Sequence, residues 1–95
     1  MSDKDKLIEA MMAEQEKFRE YLYGLIAEEA LSHAYEYIVR EDIPYAVDGM
    51  ELTPQQARIL LSSPAPLDCV YQKYCKLEKS YMDDIRTAIS LVAKQ

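Results

Sequence analysis

The chain has no tryptophan, one phenylalanine (Phe18), one histidine (His33), two cysteines and two glycines among its 95 residues. Each scarcity excludes something. Two glycines and four prolines are too few for a β-sandwich or barrel, which needs a turn about every 8–12 residues. The longest stretch without a charged residue, Ile59 to Leu67, falls far short of the roughly 20 apolar residues that span a bilayer, so no membrane role is expected. No apolar block follows Lys4 and Lys6, which predicts a chain without a secretory signal, resident in the cytoplasm. No glycine-rich phosphate loop is present. On a helix, the six-position separation of Cys69 and Cys75 sets them about 9 Å apart along the axis and about 120° apart around it. A disulfide needs Cα atoms within roughly 7 Å, and a zinc knuckle needs a shorter gap. Both cysteines are therefore expected as reduced, small, partly buried apolar side chains.

What the chain has in excess is acid. Seventeen Asp and Glu against eleven Lys and Arg leave −6. Between residues 27 and 52 stand Glu28, Glu29, Glu36, Glu41, Asp42, Asp48 and Glu51 against Arg40 alone, so this quarter of the chain carries the whole imbalance. Such a field repels phosphate backbones and attracts a basic surface on another protein. Direct nucleic-acid binding is not expected. The plainer consequence of the same charges is a solvated face that keeps the chain soluble. Hydrophobic residues at 49% and charged residues at 29% match a folded chain, and this length closes around one core, predicting a single domain over 1–95.

The apolar periodicity predicts an all-α bundle of about five helices. Leu7, Ile8, Met11, Phe18 and Leu22 recur at separations of three, four and seven, giving an amphipathic helix over 3–23 with Ser2 or Asp3 as its cap. Met11 and Met12 are expected in the core, and Gly24 ends or bends the helix. A second helix is predicted over 27–39, with Ala30, Leu31, Ala34 and Ile38 turned inward and Pro44 requiring a stop. Asp42 then caps a short helix over 43–48, closed by Gly49 in a left-handed conformation. Thr53-Pro54-Gln55-Gln56 spells a capping box with proline at the first helical position, starting a helix over 54–61. A last helix over 67–93 carries Leu67, Val70, Tyr74, Leu77, Tyr81, Ala88 and Val92 on a near-heptad line, with Ile85 and Ile89 beside it. That line suits a homodimeric coiled coil or a central rod packed by the other helices, and the rod is the expectation.

Few residues offer chemistry. On a continuous helix Glu29, His33 and Glu36 share one face, a geometry able to hold zinc if further ligands converge. A Cys–His pair from Cys69 or Cys75 with His33 has no oxyanion hole or nucleophile turn beside it. Asp83 and Asp84, being adjacent, diverge by about 100° and cannot act as a carboxylate pair. No complete set of catalytic roles can be assembled, and a non-enzymatic chain is expected. Tyr35, Tyr37 and Tyr45 interleave with the acids, and tyrosine supplies contact area at low entropy cost. The candidate partner-binding residues are accordingly Glu28, Glu29, Glu36, Tyr37, Glu41, Asp42, Tyr45, Asp48 and Glu51.

The blocks Ala13-Glu14-Gln15-Glu16-Lys17-Phe18-Arg19, Ser32-His33-Ala34-Tyr35-Glu36-Tyr37, Arg40-Glu41-Asp42-Ile43, Glu51-Leu52-Thr53, Leu61-Ser62-Ser63-Pro64 and Met82-Asp83-Asp84-Ile85-Arg86 follow one another in an order that resembles a family of small bacterial proteins. That family is known only as a domain of unknown function carried by conjugative and other mobile elements of gut anaerobes. The likeness spans most of the chain and brings no catalytic residues with it. Such relatives usually open their second helix with Pro-Pro-Glu-Glu, where this chain has Ile26-Ala27-Glu28-Glu29, so the first two helices could form one bent rod. The resemblance implies a mobile-element accessory that acts by binding a host protein. Anti-CRISPR proteins are one class of this kind, and a nuclease with a basic nucleic-acid channel is the matching partner.

Overall fold

Ser2 starts the first helix as expected. Its Oγ accepts the Asp5 N–H at 3.1 Å, and Asp3 and Asp5 sit in the first turn against the positive end of the helix dipole. The computed structural model describes residues 2–77 and 81–94. Among these are six helices and no strand: α1 (Asp3–Tyr23), α2 (Ala27–Ser32), α3 (Ala34–Gly49), α4 (Pro54–Leu61), α5 (Pro66–Lys76) and α6 (Tyr81–Ala93). The fold class is all-α.

The packing centre is α1, which meets α3, α4 and α5. Leu7 and Met11 of α1 and Leu67 of α5 are fully buried, joined by Ile43 and Val47 of α3. Ala57 closes the α4 side. Truncating a buried leucine of this kind to alanine costs about 2–5 kcal/mol. Gly24 ends α1, donating its N–H to the Tyr21 carbonyl at 3.1 Å, so α1 and α2 are separate helices. The capping box forms as spelled: Thr53 Oγ1 accepts the Gln56 N–H at 3.1 Å, and Gln56 Oε1 accepts the Thr53 N–H at 3.0 Å.

The expected C-terminal rod is corrected. Leu77 adopts extended backbone (φ −78°, ψ 147°), so α5 stops at Lys76. On the heptad line Leu67 is buried and Val70 and Tyr74 partly so, but Leu77 is exposed and so is every residue from 82 to 94. Residues 78–80 of the expected helix and the Tyr81 side chain lie outside the described residues. An amphipathic stripe records that a helix has an apolar face and says nothing of which neighbour covers it.

The two predicted helices over 27–39 and 43–48 are also redrawn. The chain breaks at His33 (φ −100°, ψ 6°), and α3 then runs through Pro44 to Gly49. Pro44 ends nothing. It removes one backbone hydrogen bond, the one to the Arg40 carbonyl, and its ring is buried. Asp42 is an exposed residue inside α3 rather than a cap. Gly49 is the last residue of α3, and no described residue has positive φ, so the left-handed stop is absent among them. Of the stripe expected inward, Ala30 is half-buried, while Leu31 (73% exposed), Ala34 and Ile38 (58% exposed) face out, because the buried face of α3 is Arg40, Ile43, Pro44 and Val47. Met12 is likewise exposed, and both cysteines are free and exposed rather than partly buried. No helix among the described residues is long and apolar enough to cross a membrane.

Candidate functional site

Arg40, the single base of the acidic quarter, is only 7% exposed. Its Nε donates to Glu36 Oε2 at 2.9 Å and its Nη2 to Asp68 Oδ1 at 2.5 Å. The guanidinium lies over the Phe18 ring at 4.8 Å and the Tyr71 ring at 4.9 Å from their centroids. A buried guanidinium needs this company, since leaving water costs several kcal/mol unless charge and hydrogen bonds replace it. Arg40 thereby ties α3 to both α1 and α5, and the one cation of the block is turned inward.

The seven acids divide in two. Glu36 is half-buried and occupied by Arg40 and by His33, whose Nδ1 is 3.1 Å from Glu36 Oε1. Glu41 is half-buried and accepts from Gln15 Nε2 at 2.9 Å. Glu28, Glu29, Asp42, Asp48 and Glu51 are exposed, and among the described residues none of them joins an ion pair. Tyr45 is 72% exposed beside them. Tyr37 is half-buried, its hydroxyl accepting from Arg19 Nη2 at 2.5 Å, and this bond pushes the Arg19 guanidinium further above its usual range.

Helices α1 and α3 run antiparallel. Lys4 Nζ reaches the carbonyls of Asp48 (2.9 Å) and Met50 (2.7 Å) at one end, while Arg19 meets Tyr37 at the other. Between them lies a groove of about 290 Å³. On α1 its wall is Ile8, Met12, Gln15, Glu16 and Arg19; on α3 it is Glu41, Pro44, Tyr45 and Asp48. Both sets follow helical spacing of three, four and seven, so each is one stripe of its helix. Gln15 is 6% exposed, donates from Nε2 to Glu41 and to the Tyr37 carbonyl (3.3 Å), and leaves Oε1 buried with no hydrogen-bond partner among the described residues. Sequence reasoning found the α3 side of this groove through its charges and missed the α1 side. The stripe 8, 12, 15, 19 was legible as a second face of α1, but the apolar stripe beside it claimed the helix.

His33 is held by Glu36 and by edge-on contacts with the Phe18 and Tyr21 rings, each 6.1 Å between centroids. Neither cysteine is among these contacts. The alternative zinc set of Glu29, His33 and Glu36 loses its common face, because the helix breaks at His33 and leaves Glu29 on α2. Among the described residues no group of three or more His, Cys, Asp or Glu side chains comes together. His33 and Glu36 are two donors where a structural zinc takes four, and Glu36 is already engaged by Arg40.

A family model described as a protein of unknown function (DUF3848) matches residues 3–95. No curated protein and no solved structure matches the chain.

Proposed function

The chain belongs to the DUF3848 family, and we propose that it serves as a non-catalytic, acidic protein-interaction module. In this reading it is a mobile-element accessory that binds a basic surface on a host protein and modulates it, and inhibition of a CRISPR nuclease is its most specific form. The observation that carries it is the exposure of Glu28, Glu29, Asp42, Asp48 and Glu51 without ion pairs among the described residues, while the only base of that quarter is buried. Unpaired surface carboxylates keep their long-range field, which steers a cationic partner and presents little to a nucleic acid. A nuclease that holds DNA or RNA in a basic channel has a surface of the matching sign.

The test is a bacterial-lysate pull-down with the wild-type chain and with the variant Glu28→Lys, Glu29→Lys, Asp42→Lys, Glu51→Lys, read by mass spectrometry over a salt series. The wild type should retain a basic protein that the variant releases, with retention falling as salt rises because exposed charges are screened. Equal retention by the two chains overturns the reading.

A further inference from the structure

The groove between α1 and α3 combines three features. Its walls offer apolar surface from Ile8, Met12 and the exposed ring of Tyr45. Three carboxylates, Glu16, Glu41 and Asp48, line it. Its inner wall contains the Gln15 amide, 94% buried by its 6% exposure, with Oε1 unpartnered among the described residues. A buried acceptor without a donor costs about 1–3 kcal/mol, so a protein that keeps one gains most when something arrives to donate to it. Exchanging the amide's oxygen and nitrogen would not help, since the oxygen would then face the Glu41 carboxylate and the Tyr37 carbonyl. The groove's own cation, Arg19, is committed to Tyr37.

We infer that this groove receives an arginine side chain from a polypeptide segment of the partner. The inference rests on the interaction-module reading and names where and by what chemistry that module grips. The aliphatic stem of the arginine lies along Met12 and the Tyr45 ring, and the planar guanidinium presents several N–H donors at once. It can thus pair with the Glu41 carboxylate, and a turn of the Gln15 side chain, whose Oε1 is closed to solvent, brings that unpartnered acceptor to the same guanidinium. Lysine, a point donor on a flexible stem, satisfies one of these acceptors and not both. Charge complementarity selects the occupant: the groove carries three carboxylates against one guanidinium, so a cationic side chain is attracted and an acidic one repelled.

The experiment is an isotope-edited NMR titration of the full chain with the blocked pentapeptide acetyl-Leu-Arg-Leu-Arg-Leu-amide, with its citrulline counterpart, which keeps the shape and removes the charge, and with its lysine counterpart. Shifts are expected at the amides of residues 12, 15, 41, 45 and 48 and at the Gln15 side-chain amide, with affinity reduced tenfold or more for citrulline and several-fold for lysine. Glu41→Gln and Met12→Ala should each weaken the arginine peptide by fivefold or more. Asp48→Asn, at an exposed position that leaves the Gln15–Glu41 bond intact, should do so by a smaller factor and guards against a folding defect. Two results overturn the proposal. Shifts spread over Glu28, Glu29 and Glu51, abolished by reversing those charges and indifferent to Glu41→Gln, remove the groove and leave the interaction module standing. Equal binding of arginine and citrulline peptides, or no binding of either, removes the arginine site outright, and the pull-down then judges the module on its own.

Discussion

Glu14 of α1 caps a helix 53 residues away. Its Oε1 accepts the Leu67 N–H at 2.9 Å and its Oε2 the Asp68 N–H at 2.8 Å, so one carboxylate satisfies two of the open donors at the N-terminus of α5. The local sequence offers no substitute, since Ala65 at the cap position makes no side-chain cap bond. Glu14→Ala should therefore destabilise the fold by about 1–2 kcal/mol, the usual cost of losing a helix cap, while Glu14→Gln, which keeps an acceptor, should cost less. Thermal or urea unfolding of the two variants checks the order, and equal losses would show that one remaining acceptor recovers nothing and that the cap needs both carboxylate oxygens.

Arg40 is the second cross-link, and its loss should be larger. Removing it leaves Glu36 half-buried and without its guanidinium partner, and strips the cation from between Phe18 and Tyr71. Breaking a buried pair from one side costs about 3–5 kcal/mol. Arg40→Ala should approach that figure. Arg40→Lys should recover little of it, because an ammonium cannot reach Glu36 and Asp68 together while lying flat between two rings. Arg40→Met with Glu36→Leu should be milder than Arg40→Ala, since the half-buried Glu36 charge goes too and only Asp68, whose side chain is 44% exposed to water, loses its partner. Denaturant midpoints of the three variants decide it.

These two cross-links mark where sequence reasoning reached and where it stopped. Local signals were legible: the Ser2 cap, the Thr53–Gln56 box and the Leu7–Met11 stripe all rest on residues within one helical turn of each other. Glu14 and Arg40 act across 53 and 28 residues, and no periodicity reports a partner at that separation. A charged or amide side chain inside a helix reads as solvated surface, so neither Arg40 nor Gln15 is recognisable as core from the sequence. The break fell at His33 instead of near Pro44 for a related reason. Local preference puts a boundary before proline, but burial of Ile43, Pro44 and Val47 against α1 outweighs one missing hydrogen bond. Moving that boundary rotated the outward and inward faces, which separated Glu29 from His33 and brought Glu41, Tyr45 and Asp48 onto one stripe.

Pro44 should accordingly be replaceable at a gain. Alanine restores a donor for the Arg40 carbonyl and removes ring crowding, worth up to about 3 kcal/mol in a helix interior. The buried ring atoms lost take back roughly 1–2 kcal/mol, at about 0.8 per methylene. Pro44→Ala should thus raise stability by about 1 kcal/mol, seen as a higher unfolding midpoint. Destabilisation instead would mean that the ring's packing in the groove wall outweighs the backbone bond.

Tyr71 gives the fold an alkaline weakness. Burial pushes its phenol up from 10 to about 12, helped by the adjoining Cys75 thiol and by Glu36, while Arg40 pulls it back. In the unfolded chain the phenol ionises near its ordinary value of about 10. Between these two values the unfolded state has released a proton that the folded state keeps, so stability is whole below about pH 10 and drains away as pH rises toward about 12. Tyr71→Phe should flatten that part of the stability curve. Chemical denaturation at stepped pH, with phenolate absorbance followed in parallel, measures both sides of the linkage. A wild-type and Tyr71→Phe pair that lose stability in parallel through this window would overturn the assignment of the alkaline weakness to Tyr71.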